Sequence, residues 1–510
     1  MQPTPPLQAV LDHAGPESHV ALSVTLLADT LTPISLFRAL SRGRTHAFLL
    51  ESVTGGEHMG RYSFIGADVR AHLKLDRGVA TLTRRRAGAT ELSQRPYTDP
   101  LDVLKAELDG WSVWAPQGLP RFVGGAVGTI GFDCVARFEP RIQLPQAPGL
   151  GAPEAELLLV DGLAAYDHVH RRVHLVVHAS LAGDAAGRAD AYRDAEERLL
   201  AMVGRLATVP RVPEAPWLLP SAPLPPVDEA LDIRPNRSPD DMRAAVRRAR
   251  AAIAEGEVFQ VVPGQRLTVP VVVDPLTLYR ALRAVNPSPY MFLLRLDGRS
   301  LVGASPEVLV RLEGDDLLVR PIAGTRKRGT TDAEDAALAA DLLADDKELA
   351  EHRMLVDLGR DDLGRVAARG SVRVEDPLHI EMYAHVMHIV SDVRATLRAG
   401  SDAYDVFRAC FPAGTVSGAP KVRACELLAE LEPDRRGAYA GAVGYFGVDG
   451  SLDTCIAIRT LVVDDAGVHV QAGAGVVWDS DPEQEHQECR AKALSCLRAL
   501  QLALVREGAA

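Results

Sequence analysis

Two pairs of glutamates carry the clearest chemical signal in the sequence. Glu348 and Glu351 lie in DDKELAEHRMLVDL, and Glu485 and Glu488 lie in DPEQEHQECRAKAL. A spacing of i, i+3 puts both members of a pair on one face of a helix. In the first segment that face continues to Leu355 and Leu358. In the second, Glu488 continues to Lys492 beside an apolar stripe of Cys489, Ala493, Cys496, Leu497 and Leu500. Carboxylates next to a core face are costly to bury unpaired. A divalent cation offsets that cost, and Mg2+ takes only one or two carboxylates while keeping waters and substrate oxygens. Acidic first turns also stabilise helix N-termini on their own, and the spacing alone favours that plainer reading.

Other segments add weaker hints. RPIAGTRKRG (320–329) is a Gly-Thr corner with three cations beside it, which suits an anion, although a solvated turn is the default reading of Arg326-Lys327-Arg328. In QAGAG, Gly473 and Gly475 would let a ligand approach the backbone, as would simple close packing. AGTVSGAPK has turn glycines before a helix start, whose amides suit an anion, but it lacks the Walker pattern of a nucleotide loop. His388, in HVMHIV, alternates in a strand-like run, where a satisfied core histidine is the commoner case. No G-x-C-x-G or G-x-S-x-G elbow is present, so nothing points to a thiol or serine hydrolase.

The elements that must position these residues are strand-rich. AFLLES, RYSFIG, MFLLRLDG, SLVGASPEVLVRLEG, DLLVRPIAG, GAVGYFGV, TCIAIRTLVV and VHVQAGAGVVW each read as a strand. LLLVDGLAAYDH and RVHLVVHAS read as a strand pair, and VFQVVPGQRLTV as one strand. Helices are expected over DAAGRADAYRDAEERLLAMVGRL, over DDMRAAVRRARAAIAEGE behind the Ser238-Pro239 start signal, and from about Pro482 to Val505. There is no regular βα alternation of the Rossmann or barrel kind. Two segments echo each other, GAVGTIGF (125–132) and GAVGYFGV (441–448), which hints at duplication. The proline-rich stretch from Val209 to Ala230 divides an amino-terminal region, 1–208, from a second region, 231–510, and reads as a linker draped over a surface.

Bulk composition sets the outer limits. The 510 residues are 47% hydrophobic and 24% charged, as in ordinary soluble domains, and the net charge of −12 argues against a nucleic-acid binder. The six cysteines show neither C-x-x-C nor zinc-finger spacing, so reduced thiols are expected. The first twenty residues show no charged leader with an apolar run, and no stretch reaches the length of a membrane helix. A cytoplasmic protein without membrane contact is the expectation.

Taken together and in order, the motifs cohere. VFQVVPGQR, NPSPYMF, GASPE, RPIAGTRKRG, KELAEHRMLVDLGRDDLGRV, HVMHIVSDV, FPAGTVSGAPKVRA, YAGAVGYFG, LDTCIAIRT and QAGAGVVWDSDPEQEHQE resemble the chorismate-utilising enzymes. LLES (49–52) and GRYSFIG (60–66) are similar to the amino-terminal region of the anthranilate synthase component I members of that family. The resemblance covers nearly the whole chain. It implies an α+β fold with a large mixed two-layer β core surrounded by helices. The first region would carry the regulatory motif and the second would bind chorismate.

The resemblance also implies roles. Glu351 and Glu488 would hold Mg2+, supported by Glu348 and Glu485. Gly324, Thr325, Tyr439, Arg459, Gly473, Ala474, Gly475 and Lys492 would contact chorismate. Glu307, in GASPE, would be the acid for the departing ring hydroxyl, and His388 would serve pyruvate elimination. Ser52, Pro289, Tyr290 and Met291 would form a tryptophan site for feedback inhibition. Family members that use water carry a lysine where this chain has Gln260, and aminodeoxychorismate synthases carry one at Ala323. Both positions favour ammonia as the nucleophile. The chain has no glutaminase elbow, so a separate glutamine amidotransferase subunit, in a hetero-oligomer, is expected to supply ammonia. The alternatives are a sibling that stops at an aminated intermediate, aminodeoxyisochorismate or aminodeoxychorismate, and a non-catalytic tryptophan sensor.

Overall fold

A computed structural model describes residues 2–52, 60–86, 89–209, 217, 220, 223–383 and 386–508. Two twelve-stranded sheets make up its centre. From one edge, the first sheet runs Arg234–Pro235, Gly264–Val269, Gly467–Gly473, Thr460–Asp464, Arg299–Ser305, Tyr290–Leu296. It continues with Ala47–Glu51, Tyr62–Gly66, Gly162–Asp167, Arg172–Ser180, His19–Leu27 and Val113–Trp114. The second runs Ile322–Lys327, Val386–Thr396 (which also pairs with Arg373–Met382), Asp316–Val319, Val308–Glu313, Leu452–Ile456, Ala442–Gly447. It continues with Gly125–Ile130, Ala155–Val160, Val69–Asp76, Val79–Arg86 and Ala89–Pro96.

Both sheets therefore cross from residues before 209 to residues after 230, and in each the crossing is a backbone ladder. Leu49 pairs with Leu293 in the first sheet, and Gly128 with Gly444 in the second. Folding each strand order about this seam superposes hairpin on hairpin: Ala47–Glu51 and Tyr62–Gly66 match Tyr290–Leu296 and Arg299–Ser305, and Ala155–Val160 matches Leu452–Ile456. The GAVG echo is the centre of this approximate two-fold, because its two copies are the strands that pair with each other.

Phe48, Phe64, Phe292 and Leu294 of the first sheet pack against Val127, Leu158, Val443 and Tyr445 of the second to form the core at the seam. Phe122 stands edge-on to Phe64 with ring centroids 5.5 Å apart. Helices cover the outer faces. Ala185–Leu206 lies on Arg172–Ser180, Pro482–Glu507 lies on Pro275–Val285 and Gly467–Gly473, and Asp346–Gly364 lies on Ile322–Lys327 and Val386–Thr396. The start signal at Ser238 closes a capping box with Asp241, with Pro239 inside the first turn.

Five segments expected as single strands are broken in two, and one of them, DLLVRPIAG, breaks at Arg320-Pro321 without leaving the second sheet. LLLVDGLAAYDH passes from the second sheet to the first at Asp161, so only its later half pairs with Arg172–Ser180. SLVGASPEVLVRLEG changes sheet at Pro306 and Glu307, and TCIAIRTLVV changes between Ile456 and Thr460. VFQVVPGQRLTV breaks at Val262-Pro263, its first part pairing with Gly418–Ala419. Apolar alternation runs straight through such a crossing, because both inner faces are apolar, so periodicity alone does not reveal it.

Half of the linker from Val209 to Ala230 lies outside the described residues. Of the described part, Trp217 sits under the Arg280 guanidinium, and Pro225 accepts hydrogen bonds from Arg498 and Gln501, so these pieces lie on the helical surface. All six cysteines are buried free thiols. No helix among the described residues is long and apolar enough to cross a membrane.

The seam glycines Gly128 and Gly444 are each approached closely by the next strand of their own half, which leaves no room for a side chain. A Cβ at Gly128 would stand 2.1 Å from the Glu156 carbonyl oxygen and 2.8 Å from Leu157 Cα. Gly128→Ala is expected to cost about 1–3 kcal/mol through forced backbone shifts. A urea midpoint equal to that of the unaltered protein would contradict this account of the seam.

Candidate active site

The sheet crossings place the key side chains. Glu307 follows the first strand of its crossing directly, where no ladder partner constrains it, and its carbonyl accepts the Ile456 amide at 3.0 Å. Thr415 donates to Glu307 Oε1 at 2.9 Å. Burial pushes the Glu307 carboxyl up to about 7, against the pull of the Thr415 hydrogen bond and the Arg459 and Lys492 charges. Arg459 lies on the other crossing, with φ of 49°, a left-handed turn that swings the chain between sheets. A carboxyl that keeps its proton near neutral pH beside two cations is equipped to donate to a leaving group.

The Gly-Thr corner is a β-bulge. The register against Val386–Thr396 shifts between Ala323 and Thr325, and Gly324 takes φ of 72°, a conformation that favours glycine. A Cβ there would also stand 3.0 Å from Ile389 Cδ1. The bulge aims the Gly324 carbonyl at His388. His388 Nδ1 lies 3.1 Å from that carbonyl oxygen and 3.1 Å from Thr325 Oγ1. Because a carbonyl only accepts, Nδ1 carries the proton and Nε2 is the basic nitrogen. Burial lowers the His388 pKa, which keeps the ring neutral at pH 7.

The two glutamate pairs open two Asp-capped helices, Asp346–Gly364 behind Asp345 and Pro482–Glu507 behind Asp481. Burial raises Glu351, with the Glu348 and Glu488 charges adding to it, so the acids of both helices feel one another. Burial likewise raises Glu485, and one of its oxygens, Oε2, is buried without a hydrogen-bond partner among the described residues. Glu348 pairs with Arg326 at 3.3 Å and Glu488 with Lys492 at 2.7 Å, whereas Glu351 receives only a 3.4 Å contact from the Gln260 amide. Among the described residues, no three His, Cys, Asp or Glu side chains gather tightly enough to cage a cation. Two of the four acids are thus ion-paired directly, while Glu351 and Glu485 feel Lys492 only at longer range and stay raised. A ligand set completed by substrate oxygens fits that division better than an all-protein cage.

Glycines set the wall between these groups. A Cβ at Gly473 would stand 2.9 Å from the Tyr439 hydroxyl, and one at Gly475 would stand 2.9 Å from Gln260 Nε2. Lys492 Nζ donates to the Gly473 carbonyl at 3.2 Å, and Ala474 donates its amide to the Pro263 carbonyl. The residues expected at one site therefore fall into linked groups: Glu307 with Arg459 and Lys492; His388 with Gly324 and Thr325; Tyr439 with Gly473; Glu351 with Glu348 and Glu488.

Ser52, Pro289, Tyr290 and Met291 come together elsewhere, around a pocket of about 510 Å3 at the seam. Sequence reasoning missed its polar wall. Asp453 accepts from Tyr290 at 2.9 Å and from Arg121 at 3.1 Å, and lies 3.3 Å from Arg311. It also missed Thr415, whose partner is over a hundred positions away, and the work of the basic run. Arg326 pairs with Asp341, Asp345 and Glu348, and Arg328 with Asp335, so these two cations tie the bulged strand to two helices and are not simply a solvated turn.

The chain resembles known proteins over nearly its whole length. The family model described as chorismate binding enzyme matches residues 45–498. The chain is 40% identical over 504 residues to anthranilate synthase component 1 of Acetivibrio thermocellus, covering 98% of each. It is 44% identical to that of Cereibacter sphaeroides, covering 93% of each. The crystal structure of anthranilate synthase component I from Streptococcus pneumoniae superposes with a TM-score of 0.73 at 34% identity, over 92% of this chain and 98% of that one. This chain belongs to the chorismate binding enzymes. Within that family, it is an enzyme of the anthranilate synthase component I type.

Proposed function

We propose that the chain converts chorismate and ammonia to anthranilate and pyruvate, with Mg2+, under feedback inhibition by tryptophan. On this reading it works in the cytoplasm with a separate glutamine amidotransferase subunit. The observation that carries the reading is the buried Glu307 carboxyl, which accepts from Thr415 at 2.9 Å and which burial pushes up to about 7 against the charges of Arg459 and Lys492. Such a group fits the departure of a ring hydroxyl from a dianion. Arg459 suits a carboxylate bidentately, and the bulge at Gly324 and Thr325 offers backbone to the same substrate. Neither Gln260 nor Ala323 supplies an amine or a general base, so the nucleophile comes from outside. His388, neutral and with Nε2 basic, suits the proton movement that accompanies pyruvate loss.

The uncompensated acids fit a divalent cation: Glu485 has an orphaned buried oxygen, and Glu351 is raised by its acidic neighbours. Glu351 and Glu488 would hold Mg2+, with Glu348 and Glu485 supporting them. When bound, the ion supplies Lewis acidity toward the ring carboxylate.

Chorismate, Mg2+ and ammonium at alkaline pH should yield anthranilate fluorescence. Chorismate consumption without fluorescence would assign the chain to a sibling that stops at the aminated intermediate, and no consumption would point to a sensor. Glu307→Gln should lower kcat by about 10²–10⁴-fold. The acid form of Glu307 does the work, so kcat/KM at fixed free ammonia should decline as pH rises through about 7. A flat profile across that range would remove Glu307 from the acid role. Glu488→Gln should abolish Mg2+-dependent turnover with circular dichroism unchanged, and retained Mg2+ dependence would exclude it as a ligand. Tryptophan should inhibit, and Ser52→Phe should relieve the inhibition; equal inhibition of the variant would place the regulatory site elsewhere.

A further inference from the structure

A second cavity, of about 390 Å3, touches Glu307 and Thr415 and reaches Asp362. None of the residues placed against substrate or cation lines it, apart from Glu307 itself. Much of its wall is apolar, including Leu355 and Leu358. Besides Glu307, its polar wall holds Arg320, Thr415 and Asp362, and Asp362 is half of a buried ion pair set behind that wall: Lys421 Nζ lies 2.8 Å from each Asp362 oxygen and 3.0 Å from the Cys410 carbonyl. A buried ion pair is weak support for stability, because desolvation offsets most of the attraction. A carboxylate whose only named donor is one ammonium keeps lone pairs for water, and a cavity needs such polar partners to hold it.

The chemistry requires a route to Glu307, given the acid role assigned to it above. In each turnover its proton joins the departing hydroxyl, the C–O bond breaks, and water leaves. Ammonia forms the new C–N bond and sheds one proton from the cationic nitrogen, so the proton count closes. Glu307, however, is left as a buried carboxylate. It must be reprotonated before the next turnover.

We propose that this cavity is the solvent path through which Glu307 regains its proton and the released water departs, with Asp362 and Lys421 as positioning residues that hold water in it. A static packing role for the pair predicts different kinetics. The path matters only after the first turnover in enzyme equilibrated below about pH 7, where Glu307 starts protonated. Leu358→Trp, which narrows the cavity, and the double variant Asp362→Asn/Lys421→Met, which removes both charges together, should form the first product at the unaltered rate. Steady-state turnover should then fall well below the rate of that first turnover, because reprotonation has become limiting. Rapid-quench mixing with chorismate, Mg2+ and ammonium should show a burst of one product per site that the unaltered enzyme lacks. The slow phase should carry a larger solvent deuterium isotope effect than unaltered turnover. First and later turnovers slowed in equal proportion, or unaltered in both variants, would overturn the path and leave Glu307 as the acid. An unaltered enzyme that consumes no chorismate would overturn both.

Discussion

The seam between the halves is built from main-chain hydrogen bonds in both sheets at once, through Leu49 with Leu293 and through Gly128 with Gly444. Two stacked ladders fix register at two levels, because a slip of one residue would turn every inward side chain outward. The aromatic core between them, Phe48, Phe64, Phe122, Phe292 and Tyr445, exists only when both ladders form. Each half alone would expose a sheet edge and half of that core, which is why the halves behave as one β structure.

Against that fixed frame, the chemistry sits where the ladders stop. A strand that changes sheet must leave its hydrogen-bonded neighbours for a few residues, and those residues are free to adopt unusual backbone and to carry polar groups. Glu307 and Arg459 occupy two such crossings on neighbouring strands, and the Ile456 amide ties one to the other. Rigid flanks hold them in place, so burial can perturb Glu307 without the carboxyl swinging out to water. The same physics explains the divided glutamates. Helices capped by Asp345 and Asp481 present acids toward each other, and Arg326 and Lys492 compensate only two of the four.

Local signals in the sequence were sound and long-range ones were not. The Ser238-Pro239 start, the helix from Pro482, the i, i+3 glutamate faces and the Gly-Thr corner all depend on neighbours within a turn, and all stand in the structure. The crossing at Glu307 was invisible because apolar alternation continues through it. Thr415 and the Asp453 wall were invisible because their partners lie over a hundred residues away. The Arg326 run misled for the same reason, since its acids belong to helices that only the fold brings near. The chemical identity of the site came from the order of many short motifs, each of which is ambiguous alone.

Asp453 and Arg459 share one short stretch of chain, the first facing the seam pocket and the second the reaction centre. The pocket draws its walls from both halves, Ser52 and Arg121 from one and Tyr290 and Arg311 from the other. A ligand there would grip the two halves like a wedge in a joint. Any adjustment it demanded would be handed along the strand to Ile456 and through the sheet crossing to the guanidinium at the other end. A joint that completes the core would in this way also be a place from which the working half could be governed.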